Sequence, residues 1–329
     1  MPNSPLPFGN GNGFASVETP DSARILVLGA SGFLGRYVSQ RLAGLGIEHL
    51  RVGRHKRPEL DAAVDLVEAP QHEVDQLVKR YAPTAVVNCS GAVRGNTDEL
   101  TRGNVVSVHA LLNALLWSAP QARLIQLGTS AEYGAVEGTP PMDEATPTHP
   151  TSPYGFTKLA ASALVLRART QFADATVLRI FNVSGPQSPT STMLGRLVEQ
   201  LSTAGPVPTL TLDSVDGWRD YIDVRDAAQA ACAAALSDSP LPAVLNIGSG
   251  TAVQTREWVE QLIAISQTNA RVILSRDSHG SHKSSVGAVA WQCADIAAAK
   301  AALGWSPTIE LATSIADTWT ARQAANQAV

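Results

Sequence analysis

The chain has 329 residues, of which 44% are hydrophobic and 16% charged, and its formal net charge is −4 at pH 7. This length is enough for one large domain or two closely packed ones. The slightly acidic balance offers no basic surface for nucleic acid, and no apolar run approaches the length of a membrane span. Neither nucleic acid nor a membrane is therefore an expected partner.

The first 22 residues are rich in Pro, Gly, Asn and Ser and have neither a basic start nor an apolar core. We predict a flexible tail, not a signal peptide, and expect the protein in the cytoplasm. Cys89, Cys232 and Cys293 are widely separated and lack the spacing of metal ligands. Buried, reduced thiols and no metal site are the expectation.

The segment 24–44, RILVLGASGFLGRYVSQRLAG, has the order of a strand, a glycine-rich turn and a helix. The apolar run 25–28 is typical of a strand covered on both faces, and the pattern 36–42 is helical. Glycines at three-residue spacing allow a sharp turn close to a pyrophosphate, at which the helix directs its free N–H groups. A plain turn is the alternative. The predicted dinucleotide contacts here are Gly29, Ser31, Gly32, Phe33, Leu34 and Gly35.

Strand-like and helix-like segments then alternate through the first half of the chain. The further predicted strands are 49–52, 85–89, 124–128 and 175–180, and the predicted helices are 74–81, 104–117 and 153–172. This alternation predicts an α/β fold, a Rossmann-type doubly wound parallel sheet with helices on both faces. We assign residues 23–182 to the NADP-binding domain, which is expected also to receive residues 222–248.

After Asn182 the pattern changes to short segments separated by prolines. Helices are predicted at 193–202, 224–236, 256–266, 296–303 and 311–323. We expect residues 183–329 to form mainly a smaller mixed region that covers the substrate.

The end of the second strand bears on the choice of dinucleotide. An Asp or Glu there would accept both ribose hydroxyls and favour NAD, but the chain has Gly53 followed by Arg54, His55, Lys56 and Arg57. Guanidinium suits a 2′-phosphate, so NADP(H) is favoured and NAD(H) remains possible. The alternative is a solvated basic turn.

Arg54 is the leading candidate for the phosphate contact, with Arg36 or Arg57 as secondary ones. Asp65 is a candidate acceptor for the adenine amine. The other candidate cofactor contacts in this part of the chain are Leu66, Ser90 and Gly91.

Tyr154 and Lys158, in the sequence SPYGFTK, indicate the chemistry. Four residues apart on a helix, they share one face. A neighbouring ammonium and a nicotinamide cation both lower the pKa of a phenol, so Tyr154 could exchange a proton with a carbonyl or alcohol oxygen while hydride moves at the adjacent carbon. Thr129, at the end of a predicted strand, could hold the same oxygen.

With these motifs, the chain resembles the extended short-chain dehydrogenase/reductase family, in the branch that modifies nucleotide-activated sugars. The resemblance extends from Arg24 to about Trp319 and is nearest to GDP-4-keto-6-deoxymannose reductases and deoxysugar 4-ketoreductases. The matching motifs are the GxxGxxG of residues 29–35, Asn104 in the helix beneath the active site, the triad Thr129, Tyr154 and Lys158, and the segments 179–186, 218–224, 245–250 and 303–307.

The resemblance implies that Asn104 and the triad contribute to the cofactor site and that Asn182 and Arg219 face the diphosphate of the substrate. Ser130 is a further candidate substrate contact. From the residues alone, Asn182 could instead cap a turn, and Arg219 could pair with Asp220 or Asp223. Many relatives have a second phosphate-binding arginine before the late helix, where this chain offers only Arg276, His282 and Lys283.

Dehydratases of the family have an acidic pair directly after the triad hydroxyl, whereas this chain has Ser130 and Ala131, with Glu132 one position later. Dehydration is therefore disfavoured. The Gly53-Arg54 pair favours an NADPH-dependent reductase, and the resemblance implies that it is a ketoreductase acting on a nucleotide 4-keto-6-deoxyhexose. A nucleotide-sugar 4-epimerase with tightly bound NAD(P) is the alternative within the family, and a non-catalytic NADP-binding sensor or scaffold is a remote one.

The helices 104–117 and 152–172 have apolar residues on more than one side. The resemblance implies that they pair across a two-fold axis, so we expect a homodimer with a four-helix bundle. Packing within one chain could account for the same pattern.

Overall fold

The computed structural model describes residues 23–171, 174–203, 207–274 and 289–327. The predicted tail 1–22 and the basic residues Arg276, His282 and Lys283 lie outside these ranges.

The centre of the molecule is a parallel sheet of seven strands in the order β10-β6-β5-β4-β1-β2-β3. Its strands are β1 (Arg24–Leu28), β2 (Glu48–Gly53), β3 (Ala62–Ala63), β4 (Ala85–Asn88), β5 (Arg123–Thr129), β6 (Ala175–Ile180) and β10 (Val244–Ile247). β1 pairs with β2 on one side and with β4 on the other, so the strand order reverses there. The doubly wound sheet predicted from the sequence is confirmed.

Helices cover both faces of this sheet because alternate strand residues point to opposite sides. Ile25 and Val27 pack with α1 (Phe33–Gly44) and α7 (Val224–Leu236). Leu26 and Leu28 pack toward the helices of the other face. Those helices are α2 (Gln71–Tyr81), α4 (Ser107–Ser118) and α5 (Pro153–Ala168).

The later part of the chain forms a smaller mixed region next to the carboxyl ends of β5 and β6. Its strands are β7 (Asn182–Ser184), β8 (Thr209–Leu212), β9 (Trp218–Asp223), β11 (Ala252–Gln254) and β12 (Arg271–Leu274), and its helices are α6 (Met193–Thr203), α8 (Thr255–Ser266) and α10 (Leu311–Gln327). The helix α9 (Ala297–Leu303) instead packs with α7 and β10 of the central sheet. Leu197, Trp258 and Ile315 are fully buried in its separate core.

Three helices begin at least three residues before their predicted starts, among them α2, which begins at Gln71 and not at residue 74. The helix α1 begins at Phe33, three residues before the predicted start, because Gly32 takes the extended N-cap conformation. The helix predicted for 104–117 begins as α3 (Thr97–Thr101), where Asn96 and Glu99 form a capping box, and continues through a π-helical turn (Arg102–Val106) into α4. A capping box is a sequence signal that the apolar pattern does not report.

The helix α5 ends at Ala168, not at Phe172, which lies outside the described residues. Within the described part of the chain, no helix has the length and apolar character needed to cross a membrane.

Candidate active site

The glycine turn after β1 is built so tightly that side chains do not fit. Gly29 has a φ of +69°, and a Cβ on it would lie 2.7 Å from the main-chain nitrogen of Ser90. A Cβ on Gly35 would lie 2.2 Å from the carbonyl oxygen of Gly29. The turn therefore brings β1 directly to the amino-terminal end of α1, where free N–H groups and the helix dipole favour a phosphate. This cradle fits the pyrophosphate of a dinucleotide.

A cavity of about 1020 Å³ begins at this turn and extends between the sheet and the smaller region. It is lined by residues from both halves of the chain. The predicted site residues on its wall are Gly32, Phe33, Leu34, Ser90, Gly91, Asn104, Thr129, Tyr154, Lys158, Asn182 and Arg219.

The triad is assembled from a strand end and the first turns of a helix. Thr129 is the last residue of β5, and Ser152 caps α5 by accepting a hydrogen bond from Gly155 N. Tyr154 and Lys158 follow on α5, one turn apart, and both line the cavity. The structure thus brings the three predicted catalytic residues to one wall.

The electrostatics of the triad are dominated by burial. Burial raises the pKa of Tyr154 to about 12, against which a hydrogen bond with Thr129 acts. Burial also lowers the pKa of the Lys158 ammonium, and the negative charge of Glu132 opposes that change. The Lys158 Nζ donates a hydrogen bond of 2.6 Å to the carbonyl oxygen of Leu127.

Asn104 lies in the π-helical turn and connects three parts of the site. Its Oδ1 accepts a hydrogen bond from Ala92 N at 2.8 Å, and its Nδ2 donates to Ala92 O at 2.9 Å and to Thr157 Oγ1 at 3.0 Å. A Cβ on Gly91 would lie 2.8 Å from Asn104 Oδ1. Asn104 therefore holds the loop after β4 against the helix that bears Tyr154 and Lys158.

The predicted 2′-phosphate contacts lie outside the main cavity. Arg54 directly follows β2, and its side chain is more than half exposed, with Nε 3.7 Å from Asp65 Oδ2. Arg57 lies 3.8 Å from Glu59 and lines a separate hollow of about 340 Å³. The Nε of Arg36 is buried and has no hydrogen-bond partner among the described residues. The role of these three arginines remains a prediction.

Asp65 already has main-chain partners, because its Oδ1 accepts hydrogen bonds from Val67 N and Glu68 N. Leu66 is buried in the core of the sheet face. The predicted residues that do not line the main cavity are Gly29, Ser31, Gly35, Arg54, Arg57, Asp65, Leu66 and Ser130.

At the other end of the cavity, Asn182 and Arg219 lie on the neighbouring strands β7 and β9. Asn182 Nδ2 donates to the carbonyl oxygen of Asp220 at 3.0 Å, and Arg219 Nη1 donates to that of Trp218 at 2.8 Å. Burial lowers the pKa of Arg219.

The alternative pairing of Arg219 with a neighbouring carboxylate is not what the structure has. Asp223 binds Arg225 through two hydrogen bonds, of 2.8 and 2.9 Å. Asp220 is fully buried and accepts from the main chain of Ser249, Gly250 and Ala294. The guanidinium of Arg219 is thus left on the cavity wall.

Sequence reasoning missed Arg196, which lies near the start of α6 and lines the same cavity as Arg219. A single arginine within an amphipathic helix has the pattern of a solvated side chain, so no sequence signal distinguished it.

The turn after Thr129 directs the carboxylate of Glu132 away from the cavity. Residues 130–132 form a single 3-10 turn in which Ser130 and Glu132 are both buried. Glu132 pairs with Arg179 at 3.0 Å. This turn therefore presents no acid to a substrate.

Cys89, Cys232 and Cys293 are free thiols. No cluster of three or more His, Cys, Asp or Glu side chains suited to a metal ion occurs within the described ranges.

Comparison with known proteins gives a consistent result. A model of the NAD dependent epimerase/dehydratase family matches residues 25–248. The chain is 33% identical to dTDP-6-deoxy-L-talose 4-dehydrogenase (NAD(P)(+)) of Kitasatospora kifunensis, over 92% of this chain and 96% of the relative.

Two further relatives are named for other enzyme activities. UDP-glucose 4-epimerase of Azospirillum brasilense is 30% identical, over 76% of this chain and 79% of the relative. GDP-6-deoxy-D-mannose reductase of Pseudomonas aeruginosa is 27% identical, over 76% and 82%. Among solved structures, MoeE5 in complex with UDP-glucuronic acid and NAD superposes with a TM-score of 0.78 at 26% identity, covering 92% of this chain and 100% of that one.

Proposed function

Because the chain belongs to the NAD dependent epimerase/dehydratase family, we propose that it is an NADPH-dependent 4-ketoreductase acting on a nucleotide-activated 4-keto-6-deoxy sugar. It is an NAD(P)-dependent enzyme of the extended short-chain dehydrogenase/reductase type. The observation that supports nicotinamide-dependent oxidoreduction is the convergence of Thr129, Tyr154 and Lys158 on one cavity wall, with the glycine turn at one end. A non-catalytic sensor would not need all three.

In the proposed reaction, NADPH held at the glycine turn of residues 29–35 would supply hydride for the keto carbon of the sugar. Tyr154 holds the proton that passes to the keto oxygen, and its high pKa keeps that proton in place at neutral pH. Thr129, hydrogen-bonded to Tyr154, holds the same oxygen. The reverse reaction uses the same groups, with Tyr154 accepting the proton from a sugar hydroxyl.

Lys158 has an electrostatic role in this proposal. Lys158 lies one turn after Tyr154 on α5. Its Nζ is held in place by a hydrogen bond to the Leu127 carbonyl oxygen on β5. A fixed ammonium stabilises the phenolate that remains after Tyr154 has given up its proton. Asn104 positions the loop and helix around this pair through its three hydrogen bonds.

The preference for NADP(H) is supported by the end of β2, where Gly53 stands in place of a ribose-binding acid. A Cβ on Gly53 would lie 2.4 Å from Leu60 Cδ1 and 3.4 Å from Ser31 Oγ, so a side chain there would need Leu60 to move. Arg54 next to it is exposed and suited to a phosphate.

The proposed substrate is supported by the relatives and by the cavity. Two relatives bear the names of oxidoreductases of 6-deoxyhexose nucleotides. In this chain Asn182 and Arg219 present an amide and a guanidinium at the end of the cavity away from the glycine turn, and these groups suit a diphosphate. Elimination of water is disfavoured because Glu132 is buried in an ion pair.

The second candidate is a nucleotide-sugar 4-epimerase, since a 30% identical relative has that name. Both activities use the same triad but differ in cofactor exchange. A reductase releases its spent cofactor, whereas an epimerase recycles it within one turnover.

A homodimer is part of the proposal. Trp117 on α4 and Phe156 on α5 are 84% and 59% exposed, and the two helices pack against each other. Exposed aromatic side chains on adjacent helices are suited to pairing with a second copy in a four-helix bundle.

The direct test is titration of cofactor-stripped protein with NADPH and NADH, followed by nicotinamide absorbance with dTDP- and GDP-4-keto-6-deoxyhexoses. Tighter binding and ready exchange of NADPH, with consumption on adding a keto sugar, is the expected result. Cofactor that cannot be stripped, with no NADPH consumed on the keto sugars and interconversion of the C4 epimers of a nucleotide hexose, would put the epimerase first.

A further inference from the structure

A buried ion pair lies behind the catalytic wall and outside the cavity. Glu132 is fully buried, and its Oε2 accepts a hydrogen bond from Arg179 Nε at 3.0 Å. Arg179 is on β6, adjacent to the strand that ends in Thr129, and its guanidinium carbon lies 4.5 Å from the centre of the Tyr133 ring. Burying the charges of Glu132 and Arg179 costs free energy, so a function for this pair is expected.

The second oxygen of Glu132 joins the two elements that bear the triad. Its Oε1 accepts a hydrogen bond from Thr129 N at 3.0 Å and another from Ser162 Oγ at 3.0 Å. Ser162 is one turn after Lys158 on α5. One carboxylate thus fixes both the strand end and the helix.

The backbone makes room for this carboxylate. A Cβ on Gly128 would lie 2.7 Å from Glu132 Oε1 and 2.8 Å from Val177 Cγ1. A glycine before Thr129 therefore allows the acid to reach the main chain of β5 from behind.

The charge of Glu132 also acts on the reacting groups, since a charge in a water-poor interior is weakly screened. It raises the pKa of Tyr154, as burial also does. It raises the pKa of Lys158 as well, where burial acts in the opposite direction. Two other groups face these residues: the Thr129 hydroxyl from β5 faces Tyr154, and the Cys89 thiol after β4 faces Lys158. Burial strongly raises the pKa of the Cys89 thiol. Arg179 faces Glu132 from β6.

We propose that Glu132 is a positioning residue for the oxidoreduction proposed above: it fixes Thr129 beside Tyr154 and, through its buried charge, retains the protons of Tyr154 and Lys158. The inference rests on the proposed function for its catalytic meaning. Its physical content concerns the ionisation of Tyr154 and can be measured without a sugar substrate.

The test is an alkaline titration of Tyr154 by tyrosinate difference absorbance, with and without NADP⁺. Parent, Glu132→Gln and Ser162→Ala proteins are each compared with their own Tyr154→Phe version, so that the difference reports Tyr154 alone. Gln keeps the acceptor for Thr129 N but removes the charge. Ser162→Ala removes one hydrogen bond and keeps the charge.

We expect Glu132→Gln to lower the Tyr154 midpoint by about one pH unit, the size of effect of a nearby buried charge, and Ser162→Ala to leave it unchanged. An unchanged midpoint in folded Glu132→Gln protein would overturn the proposal and leave Glu132 a structural residue. Failure of NADP⁺ to bind counts against the proposed function, while the cofactor-free titration still decides the role of Glu132.

Removing one partner of a buried pair strongly destabilises a fold. If Glu132→Gln does not fold, the double substitution Glu132→Gln with Arg179→Gln leaves no unpaired buried charge. Because Glu132 acts on Tyr154 and Lys158 and Arg179 acts chiefly on Glu132 and Tyr133, the midpoint is again expected to fall. A midpoint that stays in place there also overturns the proposal.

Discussion

The Lys158 ammonium donates a hydrogen bond of 2.6 Å to the carbonyl oxygen of Leu127, two residues before Thr129 on β5. The helix that bears Tyr154 is therefore attached to the strand that bears Thr129 by Lys158, one of the three proposed catalytic residues. A lysine fixed in this way holds its charge at a constant place during the proposed proton transfer, which pre-organises the site.

The substitution Tyr154→Phe tests the proposed role of Tyr154 as the general acid. Removing only the hydroxyl is expected to lower the rate of keto-sugar reduction by about a hundred- to ten-thousandfold, with NADPH affinity nearly unchanged, as measured by stopped-flow absorbance and fluorescence titration. Tyr81→Phe, on α2 and remote from the cavity, is the matched control and should behave as the parent. Full activity in Tyr154→Phe would remove Tyr154 from the mechanism.

The pH dependence follows from the sign of the Tyr154 shift. Reduction needs the protonated phenol, so its rate should be flat through neutral pH and fall as pH rises toward the pKa, which burial raises to about 12 in the free protein. Oxidation of the sugar alcohol needs the phenolate and should instead rise with pH. Initial rates measured in both directions as a function of pH check this. If the rates of reduction and oxidation both rose, or both fell, with increasing pH, the assignment of Tyr154 as the proton donor would be contradicted.

Arg54→Ala tests the choice of cofactor. If Arg54 holds the 2′-phosphate, its loss should weaken NADPH binding by about ten- to a hundredfold, as expected for a lost charged hydrogen bond, and leave NADH binding unchanged. Calorimetry measures both affinities, with Arg80→Ala on the exposed face of α2 as control. Equal losses for NADPH and NADH would mean that Arg54 does not recognise the phosphate.

Gly35→Ala tests the tight turn. Its new Cβ would meet the Gly29 carbonyl at 2.2 Å, so we expect a loss of about 1–3 kcal/mol in unfolding free energy and weaker NADPH binding. Gly44→Ala in the same helix meets nothing within 4 Å and should leave both unchanged or raise stability. Equal melting temperatures for the two variants would contradict the close approach.

Phe156→Glu tests the proposed dimer. A carboxylate on the exposed apolar face of α4 and α5 should oppose association, so sedimentation velocity is expected to show a dimer for the parent and a monomer for the variant. Gln76→Glu, at an exposed position on α2, adds the same single negative charge and is the control. A monomeric parent would disprove the four-helix bundle.

Much of the fold, and the shared location of Tyr154 and Lys158 on one helix, could be predicted because their signals are local. The run 25–28 and the glycines after it specify a strand and a turn within eleven residues, and Tyr154 and Lys158 need only helical spacing to share a face. The family resemblance added Asn182 and Arg219, which no local pattern links to the triad.

Other features depend on contacts between distant residues and were not predictable. The π-helical turn 102–106 inserts a change of hydrogen bonding that a 3.6-residue apolar pattern cannot show. The pairing of Glu132 with Arg179 joins positions 47 residues apart, and the place of Arg196 on the cavity wall depends on how α6 packs against β8 and α10.

The measurement that tests the central claim most directly uses NADPH deuterated at the reactive carbon of the nicotinamide. After reaction with a nucleotide 4-keto-6-deoxyhexose, we predict one deuterium at C4 of the sugar and one NADP⁺ formed for each sugar reduced, detected by NMR and absorbance. No NADPH consumed with the keto sugar, together with epimerisation at C4 of a nucleotide hexose bearing a 4-hydroxyl group and no net change in cofactor, would contradict the reductase and establish the epimerase in its place.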